Sequence, residues 1–75
     1  MTEQTKFRDT PAVQRKMKYF GYKHLPEHLQ ERSKIFYDAA VKIASSEPVD
    51  YAEGIRTLNK LVEAKDCFVR SFVGD

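Results

Sequence analysis

The chain has one cysteine, three glycines and three prolines in 75 residues, and no apolar run near the ~20 residues that cross a bilayer. Each scarcity excludes something. A lone Cys67 can form neither an intramolecular disulfide nor a cysteine-based zinc site. It fits a reducing compartment, in which such a residue is commonly a small buried hydrophobe. The opening Met1-Thr2-Glu3-Gln4 lacks an apolar signal-peptide core, so a cytoplasmic chain with no membrane partner is expected. Also missing are a glycine-rich phosphate loop, a nucleophile–base pair and a convergent pair of carboxylates. Glu63 and Asp66 are neighbours on a helix, but with Lys60 and Lys65 they read as a solvated salt-bridging face. No enzyme is expected. His24 and His28 come nearest to a metal motif, but His24 precedes a helix start and no third ligand accompanies the pair. Neither metal nor cofactor is expected.

What is present is charge, unevenly spread. Residues 1–24 carry six Lys or Arg against two acids, and residues 25–75 carry seven against nine. The first part is therefore +4 and the second −2 within a net +2. A basic head on a mildly acidic body suits a compact anionic ligand near the head. It suits a duplex nucleic acid less well, because the remaining surface would repel a long polyanion.

Periodicity makes the chain all-α, as a single domain over residues 1–75. Residues 1–9 are polar and aperiodic and read as a flexible N-terminus. Thr10-Pro11 reads as an N-cap with proline at the first helical position, opening a short helix over residues 10–20 that Gly21 ends. Val13, Met17 and Phe20 form its apolar side. A first long helix is predicted over residues 26–46, with Leu29, Ser33, Phe36, Ala40 and Ile43 on one seam and Ile35, Ala39 and Lys42 on a weaker one. Asp50-Tyr51-Ala52-Glu53 is a capping box that opens a second long helix over residues 50–73. On it Ile55, Leu58, Val62, Lys65, Val69 and Phe72 make one stripe, and Leu61, Ala64 and Phe68 another. The short connection around Pro48 makes the two long helices an antiparallel hairpin. Two apolar stripes exceed what one partner helix covers, and so small a chain buries little core alone. A homo-oligomer is expected.

The stretch most loaded with chemistry is Phe20-Gly21-Tyr22-Lys23-His24-Leu25-Pro26. Gly21 permits a bend, and Pro26 keeps Leu25 out of the helical region while allowing a helix to begin. Rings and cations are thus held beside a helix start, where unpaired N–H groups favour an anion. Antiparallel packing brings Tyr22, Lys23 and His24 toward Arg70. Tyr19, Phe20 and Tyr22 can stack on bases, and Lys18, Lys23 and Arg70 can meet phosphate, although Phe20 equally suits the core. Taken singly, each has a plainer role: Tyr22 can pack across the helix start, Lys18 can be a solvated charge, and Arg70 can offset a helix dipole. A second possible use is a small interaction module that binds a host protein through an apolar helix face. A third is weak nucleic-acid binding through the basic head.

The order of Phe20-x-Tyr22, Leu25-Pro26, Asp38-Ala39-Ala40-Val41, the turn at Pro48, Thr57-Leu58-x-Lys60-Leu61-x-Glu63-Ala64 and Val69-Arg70 resembles a known family. It is similar to the small phage helical-hairpin proteins that act as cyclic-nucleotide sponges against CBASS, with relatives that counter Thoeris immunity. The resemblance covers roughly residues 20–72. It implies a compact homohexamer in the cytoplasm of an infected bacterium, with pockets shared between subunits. It implies too that cyclic dinucleotides, and in some members cyclic trinucleotides at separate sites, are held intact. By position, Lys23 or His24 matches the family's phosphate-binding lysine. Arg70 matches the arginine of the trinucleotide site, and Tyr19 or Tyr22 the stacking aromatic. Where relatives carry a hydroxyl residue before the first long helix, this chain has Pro26, a departure that removes a side-chain hydrogen bond at the trinucleotide site.

Overall fold

Thr10 opens the first helix as its side chain dictates. Its backbone is extended, its Oγ1 accepts the Val13 N–H at 3.4 Å, and Pro11 occupies the first turn. In the computed structural model, which describes residues 5–73, α1 runs over Pro11–Met17 and tightens into a 3-10 turn over Lys18–Phe20. The long helices follow as α2 (Glu27–Ala44) and α3 (Tyr51–Arg70), and there is no strand among the described residues. Pro26 stands just outside α2 rather than in it, and its carbonyl accepts the N–H groups of Leu29 and Gln30 at 2.8 and 3.2 Å. Asp50 caps α3 by accepting the Glu53 N–H at 3.1 Å. The reciprocal half of the capping box is absent, because the Glu53 carboxylate pairs with Arg56 instead. Past Arg70, turn hydrogen bonds carry the chain on to Val73. No helix of the described residues is long and apolar enough to cross a membrane.

Aromatic pairs fix how α2 and α3 run. Phe36 meets Phe68 with ring centroids 5.5 Å apart. One turn earlier on α2, the Arg32 guanidinium lies 4.1 Å above the ring of Phe72, four residues after Phe68 and just past the end of α3. A step back on one helix is a step forward on the other, so the two are antiparallel, as the short connection requires. That connection turns through Glu47, which adopts a left-handed φ of 52° without being glycine. Its carboxylate repays the strain by accepting the Phe7 N–H at 2.8 Å and the Tyr51 hydroxyl at 3.2 Å.

The N-terminal segment fills the groove that the hairpin leaves open. Phe7, Val13 and Phe20 are fully buried with Ala40, Ala44 and Leu58 in one cluster. Phe7 corrects the expectation of a flexible stretch over residues 1–9. Phe7–Asp9 form a one-turn 3-10 helix, and the Phe7 ring packs edge-on to Tyr51 at 5.1 Å. The Tyr51 hydroxyl also donates to the Thr5 carbonyl at 2.9 Å. Residues 1–4, the rest of that expectation, lie outside the described residues. The Phe7 ring rests where α3 has no side chain. A Cβ built on buried Gly54 would lie 2.6 Å from Phe7 Cζ and 2.9 Å from Pro48 Cγ. Only glycine allows this approach.

The predicted seam on α2 is correct in outline: Leu29, Ser33 and Ala40 are buried, and Phe36 and Ile43 are half-buried. The weaker seam is not buried as a stripe. Ile35 is 59% exposed, and Lys42 is exposed as well. On α3 Leu58 is buried, Leu61, Val62, Phe68 and Val69 are half-buried, and Ala64 faces out. Ser33 is the one fully buried polar side chain of the core, and its hydroxyl has no hydrogen-bond partner among the described residues.

Candidate functional site

From the turn end of the hairpin, the N-terminal segment climbs past Phe20 and reaches α2 through residues 21–26. Gly21 does not make the bend expected of it. Its φ of −58° and ψ of 138° are open to any residue, and an added Cβ would meet only the Lys18 carbonyl, at 3.6 Å. The bend is made by a turn in which the Leu25 N–H reaches the Tyr22 carbonyl at 3.1 Å. Gln30 then clamps it: from the first turns of α2, its amide donates to the carbonyls of Leu25 and Lys23 at 2.9 and 3.3 Å. One polar side chain thereby satisfies two carbonyls that no helix or sheet would otherwise hold.

This linker is the wall between two cavities. On one side Gly21, Tyr22, Lys23, His24 and Tyr37 line an open cavity of about 470 Å³. Tyr22 is half-buried there, edge-on to Tyr37 with centroids 5.5 Å apart. Near these phenols Lys34 donates to Asp38 at 2.8 Å, and that hydrogen bond raises the lysine above its usual pKa. On the other side Gly21, His24, Leu25, Lys65, Asp66, Val69 and Arg70 line a smaller cavity of about 190 Å³. Lys65 is only 16% exposed and pairs with Asp66 at 3.0 Å. His24 and Arg70 add two further nitrogen-bearing side chains, and His24 lines both cavities.

Antiparallel packing therefore does bring His24 to Arg70, as expected. Lys23 and Tyr22 share the larger cavity with His24, not the one with Arg70. Tyr19 stands elsewhere. It is 54% exposed, with Lys16 Nζ 5.8 Å from its ring centre. With Lys16, Asn59, Val62, Glu63 and Asp66 it lines a third cavity of about 370 Å³. Lys18 is exposed and lines none of the three. Cys67 is exposed rather than buried, and its Sγ accepts from the Arg70 guanidinium at 3.4 Å. Among the described residues no three His, Cys, Asp or Glu side chains converge as a metal site would require.

Three lining residues lay hidden in the sequence. Tyr37 is one position off the buried seam, and nothing local ties it to Tyr22. Lys65 falls on an apolar stripe of α3, where a long side chain can be buried along its stem. Glu63 faces a cavity and makes no ion pair among those found in the described residues. The one available signal for Lys65 was a cation at a core-facing register position.

Comparison of the chain with protein-family models, with curated proteins and with solved structures returns no match.

Proposed function

We propose that the protein binds and sequesters a cyclic oligonucleotide second messenger without cleaving it. The observation that carries the reading is the linker wall: one side offers tyrosine rings with Lys23, the other offers Lys65 and Arg70, and His24 touches both. Ring beside cation is the chemistry of a base beside a phosphate. The Gln30 clamp holds the wall in place before any ligand arrives, so little ordering remains to oppose binding. A cyclic dinucleotide, with two bases carried on one closed ring of sugars and two phosphates, would use both sides. Cyclic trinucleotides are the second ligand class, through Arg70. Tyr22 and Tyr19 would stack, Lys23, His24 and Arg70 would meet phosphate, and Lys18 would contribute only long-range charge. Such a protein would blunt CBASS-like immune signalling during phage infection by lowering the free messenger concentration.

The reading includes a homo-oligomer, most simply a hexamer, with neighbouring subunits closing the open cavities. Ile35 and Phe72 support it. They are 59% and 42% exposed, and with Phe68 they leave an apolar end on the hairpin that a second copy would cover. The same exposure favours a second reading, a helical module that docks on a host protein through this end.

Native mass spectrometry with a mixed panel of cyclic di- and trinucleotides tests the proposal. An oligomer holding intact cyclic nucleotides in fixed ratio to subunits is the expected result. A monomer holding none overturns it and favours the docking module. As a residue-level check, Lys23→Ala and Arg70→Ala, each verified to fold, should weaken binding by about 10-fold or more, the scale of a lost charged hydrogen bond. If both leave every affinity unchanged, the site is elsewhere.

A further inference from the structure

The third cavity differs in character from the two beside the linker. Its lining combines a ring (Tyr19), an amide (Asn59), an ammonium (Lys16), an apolar floor (Val62) and two carboxylates (Glu63 and Asp66). Carboxylates repel phosphate, so a nucleotide would place a base here rather than its backbone. Asp66 also lines the Lys65–Arg70 cavity, so the two compartments meet along α3. Asn59 to Arg70 covers about 16 Å of helix at 1.5 Å per residue. A ligand can therefore rest its phosphate by Arg70 and Lys65 and extend a base toward Tyr19.

We infer that this compartment selects guanine. The inference rests on the nucleotide-binding reading above. Guanine's Watson–Crick edge presents two adjacent N–H donors and one carbonyl acceptor. The Glu63 carboxylate has no ion-pair partner among those found in the described residues, which leaves both its oxygens for the two donors. The Asn59 amide or the Lys16 ammonium supplies a donor for the carbonyl. Adenine offers one exocyclic amine beside a ring nitrogen whose lone pair would face a carboxylate oxygen. Cytosine likewise offers a single amine. Tyr19, with Lys16 over its ring and 54% of its surface exposed, supplies the stacking face. Asp66 is already paired with Lys65 at 3.0 Å and serves as the border between base and phosphate.

Isothermal titration of the full chain with cyclic diguanylate and cyclic diadenylate, for the wild type and for Glu63→Gln, tests the inference. These ligands share one backbone and differ only in the base edge. Guanine should be preferred by about tenfold or more, the discrimination of one good bidentate pair. Glu63→Gln should remove most of that preference, weakening diguanylate binding and leaving diadenylate binding unchanged or tighter, because the glutamine amide can donate to adenine's ring nitrogen and accept from its amine. Glu63 is exposed, and circular dichroism will verify that the variant folds. Equal affinities in the wild type, or a preference that survives Glu63→Gln, overturn the guanine assignment and leave nucleotide binding standing. Failure of both ligands to bind overturns the guanine assignment, and the reading beneath it falls as well when the mixed panel of cyclic nucleotides also fails to bind.

Discussion

Gly54→Ala should destabilise this protein although it replaces glycine by alanine inside a helix. In an exposed helix that change contributes about 1 kcal/mol of stability. Here the new methyl would sit 2.6 and 2.9 Å from two atoms of the Phe7 ring and 2.9 Å from Pro48 Cγ. The ring has little freedom to retreat: it is fully buried, packs on Tyr51 at 5.1 Å, and its backbone N–H is bonded to Glu47 at 2.8 Å. Overpacking of this kind costs about 1–3 kcal/mol, and expelling the ring would forfeit about 2–3 kcal/mol of burial. Contacts this short against a ring that cannot retreat put the cost in the upper part of that range, about 2–3 kcal/mol, so against the propensity gain the net is a loss of about 1–2 kcal/mol. For a domain of this size that lowers the melting temperature by about 4–16 °C. Thermal circular dichroism at a fixed protomer concentration measures it, since ligand or subunit binding would otherwise move the midpoint. Gly21→Ala is the internal control. Its backbone is ordinary and its nearest Cβ contact is 3.6 Å, so it should be neutral or slightly stabilising. A Gly54→Ala variant as stable as the wild type, or more so, would refute the seating of Phe7 on α3.

Three further outcomes follow from the same packing. Ser33→Ala should raise stability by about 1 kcal/mol in urea titration, because it removes a fully buried hydroxyl with no partner and scarcely any volume. The Tyr51 phenol is held above its usual range, first by partial desolvation and then by its hydrogen bond to Glu47. Folding thus favours the protonated phenol. That contribution is fully present below the unfolded value near 10 and is lost as pH rises through the higher folded one. Tyr51→Phe should show a shallower loss of stability than the wild type across that alkaline window, and parallel profiles would refute the linkage. Ile35→Asp should leave the fold intact, since the side chain is 59% exposed, yet reduce the sedimenting mass if this end is a subunit interface. An unchanged mass would place the interface elsewhere.

The sequence was most legible where structure is decided within a few residues. Thr10-Pro11 and Asp50 announced their helices because a capping side chain reaches only three residues ahead. Pro26 marked the start of α2 for the same local reason. Phe7 was illegible: a lone aromatic between Lys6 and Arg8 has no periodicity, and its partners Gly54 and Pro48 lie on the far side of the hairpin. The clue was a glycine in the first turns of an otherwise well-formed helix, a place where something large needs to approach. The Gly21 expectation failed in a related way, since a glycine before a bend invites the bend to be assigned to it. The bend is made by the Tyr22–Leu25 turn, and Gln30, a polar residue inside α2, clamps it from five and seven positions away. For the candidate site, the rings and cations of the linker were visible as a cluster. Their sorting into separate cavities was not, because it depends on which side of the linker each side chain takes.

That sorting ties the site to the core. Every linker residue proposed to touch ligand lies between Phe20, which is fully buried, and Leu29, which anchors the start of α2. The wall between the cavities is therefore positioned by hydrophobic packing at both ends and by the Gln30 clamp in the middle. Below Phe20, α1 is only seven residues long and cannot be stable by itself. It is held by Val13 and, at its far end, by the seating of Phe7 on Gly54. Variants should then fall into two groups. Lys23→Ala and Arg70→Ala remove groups that meet the ligand, so they should weaken binding at nearly constant stability. Gly54→Ala loosens the segment that carries Tyr19 to His24, so it should lower stability and affinity together.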